Sequence, residues 1–153
     1  MFRDLLNRLM GDTPPASPLQ GEDAELAIAA LLVRVARADD HYDEAERRHI
    51  DRVLACRRGL TPDEAAARRL QAEEIEAEAA DTVRFTRQIK DRIALEDRAG
   101  VLAAMWEVAY ADDTRGPDEE SLIRLVAGLL GVTDRENGQI RHQVLDRMGL
   151  PRS

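Results

Sequence analysis

The chain has 153 residues, of which 44% are apolar, 34% charged and only 3% aromatic, enough apolar material for one domain with a continuous core. The formal net charge is −8, and the arginines are interleaved with Asp and Glu instead of forming a basic block, which excludes nucleic acid as a partner because phosphate neutralisation needs a positive surface. One cysteine, Cys56, excludes an internal disulfide and a multi-cysteine zinc site.

No apolar run reaches the roughly 18 residues of a transmembrane segment, and the first residues lack a secretory pattern, so the expected location is the cytoplasm. Phe2, Leu5, Leu6, Leu9 and Met10 recur at helical spacing and predict a short amphipathic helix. It is expected to dock on its own domain, with peripheral contact at a membrane surface as the alternative. Pro14, Pro15, Ser17 and Pro18 lie in a linker that ends at Gly21, so residues 1–21 are an arm and 22–150 the body.

The body reads as an all-α bundle of about seven helices, because it is rich in strong helix formers and lacks β-branched and aromatic runs. The first body helix, from near Glu22, is apolar on most sides and is expected to be central. A second runs from about Asp43 to Arg57. A third opens with the Thr61-Pro62 cap and continues, Ala- and Glu-rich and fairly exposed, to about Ala80. Asp81 or Thr82 caps a fourth carrying Val83, Phe85, Ile89 and Ile93, and a fifth covers roughly Glu96 to Tyr110. The sixth starts at Pro117 and ends near Gly131, and the last starts at a Thr133–Glu136 capping box and ends near Met148 and Gly149.

The chain repeats itself. At a shift of 73 (35 to 108), Val35-Ala36, Ala38-Asp39-Asp40, Glu46 and Ile50 fall on Val108-Ala109, Ala111-Asp112-Asp113, Glu119 and Ile123. At a shift of 72 (59 to 131), Gly59, Thr61 and Glu64 fall on Gly131, Thr133 and Glu136. The unit, about residues 24–80 and again 97–149, is helix, acidic loop, helix, glycine stop, capped helix. Two copies predict a closed bundle with an approximate internal two-fold axis and the acidic loops on one side.

Each loop sets an Asp pair at the end of one helix and a Glu in the first turn of the next: Asp39, Asp40 and Glu46, then Asp112, Asp113 and Glu119. Glu46 and Glu119 are favoured where they stand by the helix dipole, and Asp43 with Glu46 can form a capping box. The Asp pairs stand where the dipole disfavours negative charge. Either a bound hard cation such as Ca²⁺ or Mg²⁺ compensates, or the carboxylates bond backbone amides and end the helix. An EF-hand is excluded, since counting from Asp39 puts Ile50 where a bidentate Glu is required and Glu44 where Gly belongs. The first loop, with His41, Asp43 and Glu44, is richer in ligands than the second, which Gly116-Pro117 tightens.

Val35-Ala36-Arg37-Ala38-Asp39 with Glu46, echoed by Val108-Ala109-Tyr110-Ala111-Asp112 with Glu119, resembles the TerB-like family of tellurite-resistance-associated helical domains, over about Ala24 to Leu150. The resemblance implies an all-helical fold and a divalent cation held by Asp39, Glu46, Asp112 and Glu119; Asp40, Asp43 and Asp113, in the same two loops, are further candidate ligands from the residues themselves. Asp40 and Asp113 stand where the family usually has Gly. It does not imply tellurite chemistry by this chain, since an acidic cluster repels an oxyanion.

The expected function is therefore a cytoplasmic cation-binding module for an unidentified protein partner, associated with stress or tellurite resistance. The alternative is a metal-free scaffold whose acidic face binds a basic partner. A metal-dependent hydrolase comes third, because no nucleophile motif, phosphate loop or metal-protease spacing accompanies the carboxylates. Cys56 is expected in the core or half buried, and Trp106 and Tyr110, four apart, are expected to pack together.

Overall fold

The computed structural model describes residues 21–38, 42–79, 82–111 and 117–151, and only the backbone of 82–84 and 117–119. Among them are seven helices and no β-strand: α1 (Gly21–Ala38), α2 (Glu44–Arg58), α3 (Pro62–Glu78), α4 (Thr82–Arg92), α5 (Leu95–Ala111), α6 (Pro117–Leu129) and α7 (Asp134–Met148). The fold is the expected all-α bundle. The N-terminal amphipathic helix and its linker lie outside the described residues, as does Asp81, which had been expected to compete with Thr82 as the cap of α4.

Helix ends follow the local sequence. Thr61 and Thr133 each accept from the backbone N–H of Glu64 and Glu136 at 3.1 Å, and each Glu carboxylate accepts from the Thr backbone N–H, at 2.9 and 3.0 Å. These two capping boxes satisfy N–H groups that helix starts leave without partners. Gly59 (φ 64°) and Gly131 (φ 74°) turn the chain through the left-handed region that other residues avoid. The following amides close both turns in the same way, Leu60 on the Ala55 carbonyl at 3.2 Å and Val132 on Ala127 at 2.8 Å.

Two helices carry the core, and they occupy the same place in the two repeats. α1 buries Ala27, Ile28, Ala30, Leu31, Val33 and Val35 on nearly all sides, and α5 buries Val101, Leu102, Met105, Trp106 and Val108. In each unit the first helix packs on the third, α1 on α3 and α5 on α7, while α2 against α5 joins the units. Phe85 and Ile89 of α4, and Ile93 just past its end, are fully buried in the same core. The expectation that α3 is fairly exposed is corrected on one face. Ala65, Ala72, Ile75 and Glu76 are buried, and α1 with α3 is the most extensive helix pair. Alanines that look like neutral helix filler allow a close approach of backbones.

A buried ionic cluster fastens three helices. Glu25 of α1 accepts two parallel bonds from Arg57 of α2, both at 3.0 Å, and a third from Arg58 at 3.0 Å. Arg57 also donates to Asp97 of α5 at 2.7 Å. The side chains of Glu25 and Arg57 are 4% and 6% exposed, so each needs the other: bidentate geometry offsets the cost of desolvation, and loss of one partner leaves a buried charge. Gly100 makes room for this cluster, since a Cβ there would come 2.1 Å from Arg57 Nη1. In the second unit Arg98, at the position matching Glu25, donates instead to the carbonyls of Ile93 (2.9 Å) and Leu130 (3.1 Å), which lie just past the ends of α4 and α6.

Candidate functional site

Of the seven carboxylates expected to ligate a cation, the structure describes the side chains of two, Asp43 and Glu46. Asp39, Asp40, Asp112 and Asp113 lie outside the described residues, with His41. Glu119 lies in α6 (Pro117–Leu129), and its side chain is outside them as well. Among the described residues no group of three His, Cys, Asp or Glu side chains is placed to hold a metal ion.

Asp43 is the N-cap of α2, and its Oδ1 accepts from the Glu46 backbone N–H at 3.0 Å. The expected capping box is therefore half made. α3 and α7 return a bond from the Glu side chain to the cap, but at α2 only the Asp43 half is present. The Glu46 carboxylate is directed elsewhere. Half exposed, it lines a crevice of about 10 Å³ with His49, Ile50 and Val53 of α2, Met105 of α5 and Leu122 of α6. That volume suits roughly one water. Leu122 stands three residues after Glu119, in the second turn of α6, so the crevice lies between the start of α2 and that turn.

Around Tyr42 and the C-terminal end of α1 lies a network that periodicity did not reveal. Arg34 and Arg37, on the otherwise apolar α1, both reach Glu76 of α3, with Arg34 Nε 2.9 Å from Oε1. Arg34 also donates to the Glu76 carbonyl at 3.0 Å and to that of Ala79, closing the end of α3, and its guanidinium lies 5.1 Å from the Phe85 ring centre. Tyr42 donates to Glu73, and the guanidiniums of Arg37 and Arg47 sit 5.2 and 5.1 Å from its ring centre. Desolvation, then the Glu73 carboxylate, pushes the Tyr42 hydroxyl up to about 12, so it remains a donor. Arg69 joins Asp51 at 2.7 Å and Glu73 at 2.9 Å. The signal that could have found this network was the placement of Arg34 and Arg37 on an apolar helix and of Glu73 and Glu76 one turn apart in α3.

The second unit is built differently at the matching places. Trp106 and Tyr110 do pack together, with ring centres 5.8 Å apart and 20° between planes. The buried Trp106 donates through Nε1 to Asn137 Oδ1 at 3.0 Å, and Arg141 donates to the Tyr110 hydroxyl while lying over both rings. A cleft of about 440 Å³ opens between α5, α6 and α7, walled by Trp106, Asn137, Gly138, Glu120 and Arg124.

Cys56 departs from expectation: it is exposed, not in the core. Its Sγ donates to Glu107 Oε2 at 3.0 Å, and desolvation against α5 together with that carboxylate pushes the thiol up to about 12. It therefore stays protonated at neutral pH, the opposite of an activated thiolate. No helix among the described residues is long and apolar enough to cross a membrane.

No curated protein and no solved structure matches the chain. The family model described as tellurite resistance protein TerB matches residues 25–142, a span that runs from Glu25 in the buried cluster through both acidic loops into α7, and the chain belongs to the TerB family.

Proposed function

We propose that the chain is a TerB-family helical module that binds a divalent cation through its two acidic loops and offers the metal-shaped surface to a protein partner, acting as a binding module and not as an enzyme. The observation that carries this reading is the position of Glu46. It stands in the first turn of α2 beyond a cap that Asp43 completes alone, and it borders the crevice that Leu122 of α6 also lines. Asp39, Asp40 and Glu46 from one loop and Asp112, Asp113 and Glu119 from the other supply the hard oxygen donors that Ca²⁺ or Mg²⁺ prefers. Five carboxylates of the body, Glu25, Asp51, Glu73, Glu76 and Asp97, are each paired with arginine. A stress-associated setting and a cytoplasmic location belong to the same reading.

Calorimetric titration of chelator-treated protein with Ca²⁺, Mg²⁺, Mn²⁺ and Zn²⁺ tests it. Saturable binding that both Asp39→Asn and Asp112→Asn weaken is expected. Absence of binding by all four ions overturns the reading. One observation favours a metal-free scaffold as the second reading: Arg37 and Arg47 flank Tyr42, directly after the first loop, and supply positive charge without a metal. In that case the acidic face recognises a basic partner, and binding falls with salt and with charge reversal at Asp39 and Asp112.

A further inference from the structure

We propose that residues 2–10 of this chain dock as a helix along α5 beside α2, with Phe2 at Glu107 and Met10 toward Leu95, in the way that α4 lies along α1. The duplication reaches back beyond the acidic loops. Each unit is preceded by a helical segment, α4 before α5 and the predicted helix of residues 2–10 before α1, and at a shift of 83 (2 to 85) Phe2, Leu6 and Met10 fall on Phe85, Ile89 and Ile93. Those three residues are fully buried, and their four-residue spacing makes one stripe of a helix. The shift grows from 73 to 83 because the first unit carries the Pro- and Ser-rich linker ahead of α1.

The place follows from what α4 does. It packs on α1 and on α6, with the Phe85 ring centre 5.1 Å from the Arg34 guanidinium. From there α4 runs back toward the start of α1, because α5, which follows it, is tied to that end through Asp97, Arg57 and Glu25. By the repeat, the matching places for a helix ahead of α1 are α5 and α2. That side of α5 is open. Ala30 of α1 is buried, whereas Ala103, its match, is half-buried, and the Arg34 side chain is 13% exposed where that of its match Glu107 is 40% exposed. Leu95, Ala99 and Ala103 follow one another at one-turn intervals, and Leu95, 76% exposed, is the most exposed large apolar side chain among the described residues. Since α2 packs directly on α5, the arm lies over their junction.

Direction, reach and charge select this segment as the occupant. A helix that runs antiparallel to α5, from Glu107 to Leu95, finishes at the end of the molecule where α1 begins, since Glu25 of α1 and Asp97 of α5 share Arg57. Residues 11–20 span up to about 33 Å when extended, more than the roughly 26 Å length of the 17-residue α5. Gly21, at φ 58°, turns the chain where that linker meets α1. Glu107 stands where the first unit has Arg34, and the arm carries Arg3 and Arg8 where α4 has Thr86 and Asp91, so the sign of charge changes on both sides together.

Isotope-edited nuclear Overhauser spectra of the full chain test the placement, read together with amide hydrogen exchange. Contacts of the Phe2 ring with the Ala103 methyl, and of the Met10 methyl with Leu95, are expected. In Ala103→Arg and in Leu95→Asp these contacts should be lost, and the amides of residues 5–10 should exchange at least about tenfold faster. Leu95 is exposed, so its replacement leaves the body folded and keeps the test open even if Ala103→Arg fails to fold. Arm amides that exchange at unprotected rates in the parent, contacts of residues 2–10 with another face, or contacts seen only between differently labelled copies would each overturn the proposal. So would protection of the arm that appears only when phosphatidylglycerol vesicles are added, which would assign it to a membrane surface.

Discussion

The two repeats share caps, glycine turns and the packing of first helix on third, yet they close their interiors by different means. The first unit uses charge: Arg57 with Glu25, Arg34 and Arg37 with Glu76, and Arg69 with Asp51 and Glu73. The second uses an aromatic pair, a buried amide and guanidinium bonds to carbonyls. Duplication preserved the backbone path because the caps and glycines fix it locally, whereas the interior of each unit could be refilled independently. The unit closed by ion pairs borders a crevice of about 10 Å³, and the unit closed by aromatics a cleft of about 440 Å³.

Breaking the charged unit should have the largest effect. Arg57→Met leaves Glu25 buried with only the half-exposed Arg58, and a loss of about 3–5 kcal/mol in urea unfolding is expected; a loss below about 1 kcal/mol would mean that the cluster tolerates solvent. Gly100→Ala should cost about 1–3 kcal/mol, since its Cβ intrudes on Arg57. The same alanine in an Arg57→Ala background should cost almost nothing, a coupling that a double-mutant cycle measures directly.

In the aromatic unit Asn137→Ala removes the acceptor of the Trp106 N–H, and about 1–3 kcal/mol is expected. If Asn137→Ala proves neutral, the second unit is closed by packing alone. Gly138→Ala sharpens the contrast with Gly100, because open space surrounds its Cβ. A gain of about 0.5–1 kcal/mol, from helix propensity, should appear as a higher melting temperature.

The smallest effect is one the units share. The Thr61 and Thr133 backbone N–H groups, then their hydroxyls, hold the Glu64 and Glu136 carboxyls below their ordinary 4.5. A lowered folded pKa contributes stability that is complete above the unfolded value and lost as pH falls through the folded one. Replacing both with Gln keeps the cap bonds and removes the titration. The double variant should match the parent at neutral pH and lose less stability between about pH 5 and about pH 3. Parallel curves for variant and parent would assign the acid sensitivity to other carboxylates.

Much of the fold was legible because its signals are local. Thr61-Pro62 with Glu64, Thr133 with Glu136, and Gly59 and Gly131 each act within one turn of helix, so sequence spacing locates them. The candidate cation site was legible only as a repeated pattern. Asp39 and Asp112 carry it, and their placement lies outside the described residues, while Asp43, weighed as a further ligand, is a cap. Cys56 was misplaced because nearby apolar residues on a helix do not say which side of it faces the core.

By itself the sequence determined the helix count of the body, its caps and turns, the duplication and the family, all consequences of short-range chemistry and of pattern. Only the tertiary structure decided which carboxylates meet arginines, that Gly100 exists to admit Arg57, and that Asn137 faces both an indole and a cleft. Apart from Arg69 with Glu73, one turn apart on α3, those partners lie on different helices, for example Arg57 and Glu25, or Trp106 and Asn137. Their meeting is set by how the helices pack, and no periodicity within a helix encodes it.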